Sequence, residues 1–345
     1  MELAVFPWLE QPASVLQKFR EKLPGAILIY GPRGSGTYEL AFAFAQSVLC
    51  ESPRNGAACG VCENCRLIKA GTHPDMRLVL SEAEAAVHPQ PWEPKKKAVE
   101  VKKGLPRTIE IEKIRALGEF FSITSHRGGN RVVLIYPANM MQADQSSALL
   151  KSLEEPPEGV VIILVSDDLD AMLPTIRSRC QLVRVPAPSK EASLDYLESQ
   201  GFEREEAEVA LAQAGGMPLL VFEKDARLKM SKETEAKILA MLRQGGELSM
   251  AEVVDGVSND LSMQALVPFV QRFMTDIIYV RQGLPVRYFL KEANTIASLA
   301  SKADDRALFA FVDEANKLSQ IAAHPLNVKL TAQDFLIKYA DALRA

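Results

Sequence analysis

Apolar residues gather into short continuous runs in the first half of the chain and spread into a helical period in the second. Three runs stand out: AILIY at 26–30, VVLIY at 132–136 and VVIILV at 160–165. Runs of this length, with no polar alternation, mark strands covered on both faces, as in a parallel sheet. The first leads into the glycine-rich turn GPRGSG and then into LAFAFAQSVLC, whose apolar positions recur at helical spacing. Strand, glycine loop, helix is the order of a nucleotide-binding α/β unit. Residues 145–153 predict a further helix, stopped at Glu154-Glu155-Pro156-Pro157 because proline cannot continue one. Strands alternating with helices predict a parallel sheet with helices on both faces.

Two stretches break this pattern. Residues 82–106, EAEAAVHPQPWEPKKKAVEVKKGLP, are rich in Pro, Lys and Glu without a period, and predict an exposed, partly disordered loop. Its lysine runs could touch phosphate, although a charge run is more often simply solvated. After Val185-Pro186-Ala187-Pro188 the pattern turns helical throughout, punctuated by Gly201, Gly215-Gly216 and Gly245-Gly246. A chain of 345 residues exceeds one compact core. The boundaries predict an α/β domain over 1–187, a small helical domain over 188–229 and a larger helical domain over 230–345. Tyr279, Tyr288, Phe289, Phe309, Phe311 and Phe335 fall in the last of these and are expected in its core or at a subunit contact.

Composition is that of an ordinary globular protein, 48% hydrophobic and 24% charged. The net charge of −4 argues against a chain that grips DNA alone through a broad basic face. No apolar run is long enough to cross a bilayer, and MELAVFPWLE has no basic region of a signal peptide. The expected location is the cytoplasm.

The chemistry begins at Gly31-Pro32-Arg33-Gly34-Ser35-Gly36, which keeps the glycine frame of G-x-x-x-x-G-K-[ST]. The lysine that neutralises phosphate charge is replaced by Thr37, and the small hydroxyl that holds Mg²⁺ by Tyr38. Backbone N–H groups could still cradle an anion. The alternative is a plain strand-to-helix turn that needs small residues, and the loop alone weighs the two evenly. Where the second apolar strand of an ATPase ends in Asp-Glu, this one ends in Tyr136-Pro137, so the metal-organising carboxylate and the base are absent as well.

Four of the five cysteines, Cys50, Cys59, Cys62 and Cys65, fall within sixteen residues with the spacing C-x8-C-x2-C-x2-C. Four thiolates suit tetrahedral Zn²⁺ in a closed, structural site. A reduced thiol cluster and an iron–sulfur site are the alternatives. Gly56, Gly60 and Asn64 are expected to turn tightly around the metal, and the nearby His73 is expected to be an ordinary loop histidine.

The most specific segment is Ser147-Ala148-Leu149-Leu150-Lys151-Ser152-Leu153-Glu154-Glu155-Pro156-Pro157, followed by Thr175-Ile176-Arg177-Ser178-Arg179-Cys180. It closely resembles the A-L-L-K-T-L-E-E-P-P run and the S-R-C motif of the clamp-loader subunits of bacterial DNA polymerase III. The resemblance covers roughly residues 1–188 and includes the four-cysteine module, which that family carries as a zinc site. It implies an AAA+-type (RecA-like) α/β domain with a zinc-binding insert, then a helical lid and a helical collar. The degenerate loop and missing Asp-Glu resemble the non-hydrolysing delta-prime branch more than the ATP-hydrolysing gamma/tau branch. The resemblance further implies gamma/tau and delta subunits as partners, and the sliding clamp and primed DNA through the assembly. It places on Arg179 an arginine presented in trans to ATP bound by a neighbouring subunit; a guanidinium fork suits phosphate oxygens. An ordinary surface ion pair is the competing reading for Arg179, as for Arg177. Family ATPases also carry a sensor arginine near the position that Pro218 takes here. Rival functions are an active gamma/tau-like ATPase, against which Thr37, Tyr38, Tyr136 and Pro137 all count, and a zinc-dependent nucleic-acid-binding protein, against which the acidic charge counts.

Overall fold

The structure is a computed structural model that describes residues 3, 5–87, 108–222, 230–258, 261–322 and 327–344. The chain divides into two compact units, Met1–Ser193 and Leu194–Ala345.

The first unit runs α1 (Glu10–Phe19), β1 (Ala26–Tyr30), α2 (Thr37–Leu49), α3 (Glu63–Ala70), β2 (Met76–Leu80), α4 (Glu82–Val87), α5 (Ile111–Arg115), α6 (Leu117–Ser122), β3 (Arg131–Tyr136), α7 (Ala143–Glu154), β4 (Val160–Ser166), α8 (Pro174–Arg177) and β5 (Gln181–Arg184). The five strands form one sheet, ordered β2-β3-β4-β1-β5, with every pair parallel. The three apolar runs are its central strands. Alternate residues of β1 feed opposite faces. Ile27 and Ile29 join the core with Leu16, Leu40 and Phe44, and Leu28 joins the core with Leu149, Leu153 and Ile176. Residues of one strand divided between two cores are what a sheet covered on both faces requires.

The register aligns the carboxyl ends of β1 and β4, pairing Tyr30 with Ser166, and the N–H of Gly31 donates to Ser166 O at 3.2 Å. Only glycine fits at position 31, since a Cβ there would lie 2.2 Å from Val185 O. The loop after β1 therefore opens at the carboxyl edge of the sheet, where α/β folds place their ligands.

The expectation of an exposed loop from residue 82 is corrected at its start. Residues 82–87 form α4, with Ala83 and Glu84 buried. The loop's lysine runs lie in 88–107, outside the described residues.

In the second unit α9 (Lys190–Ser199), which straddles the division, and α10 (Arg204–Gln213) share a small core of Leu194, Leu197, Ala207 and Leu211. A larger core joins α11 (Lys232–Gln244), α12 (Met250–Gly256), α13 (Met263–Arg281), α14 (Ala293–Lys302), α15 (Asp305–Ile321) and α16 (Val328–Ala342). Phe273, Phe289, Phe311 and Phe335 are buried in it, whereas Phe309 is exposed. No helix among the described residues is long and apolar enough to cross a membrane.

Candidate functional site

Three clusters of the first unit contain the residues singled out in the sequence. The first is the glycine loop. Gly34 and Gly36 adopt positive φ of 81° and 92°, conformations that L side chains seldom adopt, and Gly36 caps α2. The loop's approaches are taken by the chain itself. Trp8 Nε1 donates to Ser35 O at 2.7 Å, the Phe6 and Trp8 rings stack at 5.0 Å, and a Cβ on Gly36 would lie 2.9 Å from the Phe6 ring. Arg33 reaches the buried Glu84 carboxylate at 3.8 Å.

Thr37 and Tyr38, which stand where the lysine and small hydroxyl belong, are both buried. The Tyr38 ring lies 5.2 Å from that of Tyr136 and stacks on Phe42 at 6.0 Å. The two residues that displace the metal-holding groups thus pack on each other. Tyr136 Oη donates to Asp167 Oδ1 at 3.3 Å. Burial, and then the nearby Glu39 and Glu84 carboxylates, push the Tyr38 phenol well above its usual range. Burial also raises the Glu39 carboxyl, with Asp167 adding to it. Two tyrosine rings and the carboxylates of Glu39, Glu84 and Asp167 thus gather beside the loop, with the Arg33 cation facing Glu84. Phe6, Trp8 and Glu84 carry no local sequence signal, because nothing in an isolated Phe-Pro-Trp or in EAEAAV marks its distant partner.

The second cluster is the cysteine module. The Sγ atoms of Cys50, Cys59, Cys62 and Cys65 all lie within 4.8 Å of one another, with Cys50–Cys62 at 3.8 Å and Cys59–Cys65 at 3.9 Å. Thiolates about 2.3 Å from a central zinc stand ~3.8 Å apart at the corners of a tetrahedron, so the donor set fits that ion. Backbone N–H groups already face the sulfurs: Cys59 N donates to Cys50 Sγ, Cys62 N to Cys59 Sγ and Cys65 N to Cys62 Sγ, at 3.2–3.4 Å. Such bonds favour thiolate over thiol. The N–H of Val61, then that of Cys62, draws the Cys59 thiol down to about 6. Gly56 and Gly60 take positive φ as the turns require. Asn64 does not serve as a turn. It sits in the first turn of α3, buried, and its Nδ2 donates to Leu49 O at 2.7 Å, tying α3 to the end of α2.

A strut joins this module to the sheet. Asp75, buried just before β2, accepts from the N–H groups of His126 and Arg127 at 2.8 and 3.0 Å and from Ser125 Oγ at 3.0 Å. Arg127 then reaches Glu51 at 3.1 Å and Glu63 at 2.7 Å, the neighbours of Cys50 and Cys62. Burial alone would raise the Asp75 carboxyl, but the bonds from His126, Ser125 and Arg127 overcome it and hold it below the usual range. His73 lies in the loop before β2, as expected, but is buried there. It is 2% exposed, and its Nδ1 accepts from Asp75 N at 3.1 Å.

The third cluster is the S-R-C region. Cys180 is buried among Leu149, Leu153 and Ile176, and burial pushes its thiol up to about 12; it is a packing residue. Arg179 instead lies at the surface, its side chain 31% exposed. Its Nε donates to Glu154 Oε1 at 2.8 Å, its Nη2 to the same oxygen, and its Nη1 to Thr175 O at 2.8 Å. Arg177 pairs with Asp170 at 3.6 Å. In the second unit, Pro218 is buried at the start of a 3₁₀ turn, Pro218–Phe222.

Comparison with known proteins agrees with the resemblance. The family profile described as "DNA polymerase III, delta subunit" matches residues 13–189, more than half of the chain. DNA polymerase III subunit delta' of Pseudomonas aeruginosa is 37% identical over 218 residues, 62% of this chain and 60% of that protein. Its Escherichia coli K12 counterpart is 27% identical over 248 residues, 70% of this chain and 67% of that protein. Subunit tau of E. coli is 33% identical over 173 residues, 50% of this chain and 23% of tau. The match to the Pseudomonas relative therefore spans about three fifths of that protein's length. Among solved structures, a DNA polymerase III gamma subunit-related protein of Thermotoga maritima aligns with 97% of this chain and 100% of its own at 18% identity, TM-score 0.49. On the profile match and these relatives, with the sheet and motifs above, the chain belongs to the DNA polymerase III delta subunit family.

Proposed function

We propose that this chain is a non-hydrolysing, delta-prime-type subunit of a bacterial DNA polymerase III clamp loader, working in the cytoplasm. It helps to place a sliding clamp on primed DNA, in an assembly with gamma/tau-type and delta-type subunits. The observation that carries the reading is the pairing of Tyr38 with Tyr136, 5.2 Å between rings. It fills the point where a hydrolysing relative needs a metal-bound hydroxyl and a carboxylate. The family match and the delta' relatives supply the setting.

The parts then divide the work. The α/β domain keeps the nucleotide-binding architecture without its reactive groups. Zinc, when bound by Cys50, Cys59, Cys62 and Cys65, cross-links the insert and leaves no open position for a reacting water. Arg179 supplies a guanidinium to ATP held by a neighbouring subunit, where charge spreads over the transferred phosphoryl oxygens. The helical remainder supplies the lid, residues 188–229, and the collar, residues 230–345, through which the subunits join.

The test is reconstitution of the full chain with gamma/tau and delta chains, the clamp and primed DNA. The isolated chain should not turn over ATP, and clamp loading should depend on its presence. Equal loading without it, or turnover by the isolated chain that is lost on substituting Gly36, would overturn the reading.

A further inference from the structure

We propose that Glu154 is the positioning residue for Arg179, so that the L-E-E-P-P and S-R-C segments act as one device. The inference rests on the trans-acting reading of Arg179 and adds to it what aims the guanidinium.

The carboxylate stands on a fixed support. Glu154 ends α7, and the residue before it, Leu153, is buried. Beyond it, Pro156 packs against the start of β1 so closely that a Cβ on Gly25 would lie 2.3 Å from its ring. The end of α7 is thus held from below by the core and from beyond by the sheet. Arg179 has a matching support. It is followed by the buried Cys180, and its own N–H donates to Ile176 O at 3.1 Å. Leu153, Ile176 and Cys180 belong to one core cluster. The positions of Glu154 and Arg179 relative to each other are therefore set by buried neighbours one residue away, not by the ion pair.

The pair then fixes what an arginine otherwise leaves free. A guanidinium has five donors in a rigid plane. Glu154 Oε1 takes the Nε–Nη2 edge, and Thr175 O takes Nη1, with Ser178 Oγ at 3.4 Å from the same nitrogen. Among the described residues no further partner engages the guanidinium, which leaves one N–H of Nη2 for a phosphate oxygen while the side chain is held. Arg177, two residues earlier, makes a single 3.6 Å contact with an Asp170 side chain that is 95% exposed, and has no comparable frame. An ion pair this open to solvent adds little stability; its consequence is orientation.

The test uses the reconstituted complex, with ATP turnover normalised to assembled complex and zinc content checked. Arg179→Ala should lower kcat with little change in KM. Glu154→Ala should lower kcat in the same direction by less, roughly 3- to 30-fold, bounded above by release of an arginine's full rotamer freedom. Glu154→Gln, which keeps an acceptor oxygen, should fall between. The double variant Glu154→Ala/Arg179→Ala should be no worse than Arg179→Ala alone. Normal turnover in Glu154→Ala beside a loss in Arg179→Ala would overturn the positioning role and leave the trans-acting reading standing. Additive losses in the double variant, raised turnover in Glu154→Ala, or failure of both Glu154 variants to assemble would each overturn it too. Normal turnover in Arg179→Ala would remove the trans-acting reading itself, and the positioning role with it.

Discussion

The glycine loop and the S-R-C region lie in the same α/β unit and were each recognised from a motif, yet their physical chemistry is opposite. Around the loop the chain has turned inward. Tyr38 is buried against Tyr136, Phe6 and Trp8 pack over Gly36 and Ser35, and the loop's arginine faces the buried Glu84. Around Arg179 the apolar residues Leu153, Ile176 and Cys180 stay below, and the cation stands at the surface in a frame of acceptors. A region that has turned its chemistry into packing should answer substitution with stability. A region that presents a group to another molecule should answer with activity alone.

The largest expected effect tests whether either region leans on the zinc module. Metal removal, or Cys59→Ser with Cys62→Ser, withdraws cross-linking that in isolated zinc modules amounts to about 10 kcal/mol or more. Elemental analysis should give one zinc per chain. Stripping should raise amide exchange over residues 50–71 and leave the central strands protected; metal-free protein with four freely titratable thiols would remove the module. Next comes Tyr38→Ala, which opens a cavity at a buried aromatic and should cost about 3 kcal/mol. Denaturation of the variant should show that loss without any gain of ATP turnover; an unchanged midpoint would mean that the Tyr38 ring does not hold the loop region together.

Asp75→Asn, outside both regions, calibrates the scale. It weakens three charge-assisted bonds to a buried carboxylate, roughly 2 kcal/mol in all. The sign with pH follows from a carboxyl held below its unfolded value. Its contribution is complete above pH ~4 and disappears as pH falls through the folded value, so the acid limb of stability should flatten in the variant. A variant with an unchanged acid limb would contradict that origin. The smallest stability effect belongs to Arg179→Ala, below about 1 kcal/mol for a pair so exposed; a larger loss in denaturation would make Arg179 a structural residue.

Legibility in the sequence follows exposure. β1, β3 and β4 are buried on both faces and read as continuous apolar runs. β2 and β5 form the two edges of the sheet, and MRLVL and QLVR carry Arg77 and Arg184 within them, so neither shows an uninterrupted run. Residues 82–87 look like loop because EAEAAV has no strong period, and the contact of Glu84 with Arg33 joins positions far apart in the chain. The cysteine module is legible because its ligands are local and closely spaced. The strut through Asp75 and Arg127 is not, because its links join residues 51, 63, 75 and 127. Glu154 and Arg179 are each visible in their motifs, but their pairing depends on two helices meeting over a shared core.

The most direct test of the central claim, that the chain lends Arg179 to a neighbour's ATP, is DNA- and clamp-stimulated hydrolysis by the complex rebuilt with Arg179→Ala, with assembly quantified on the same preparation. Normal assembly and zinc content are expected, with reduced hydrolysis per assembled complex. The loss is bounded above by the ~10³–10⁵-fold effect of an arginine finger at a single site, and Arg179→Lys should restore only part of it because a point charge lacks the planar fork. Poor assembly with normal hydrolysis per assembled complex would contradict it, leaving Arg179 as a contact at a subunit boundary.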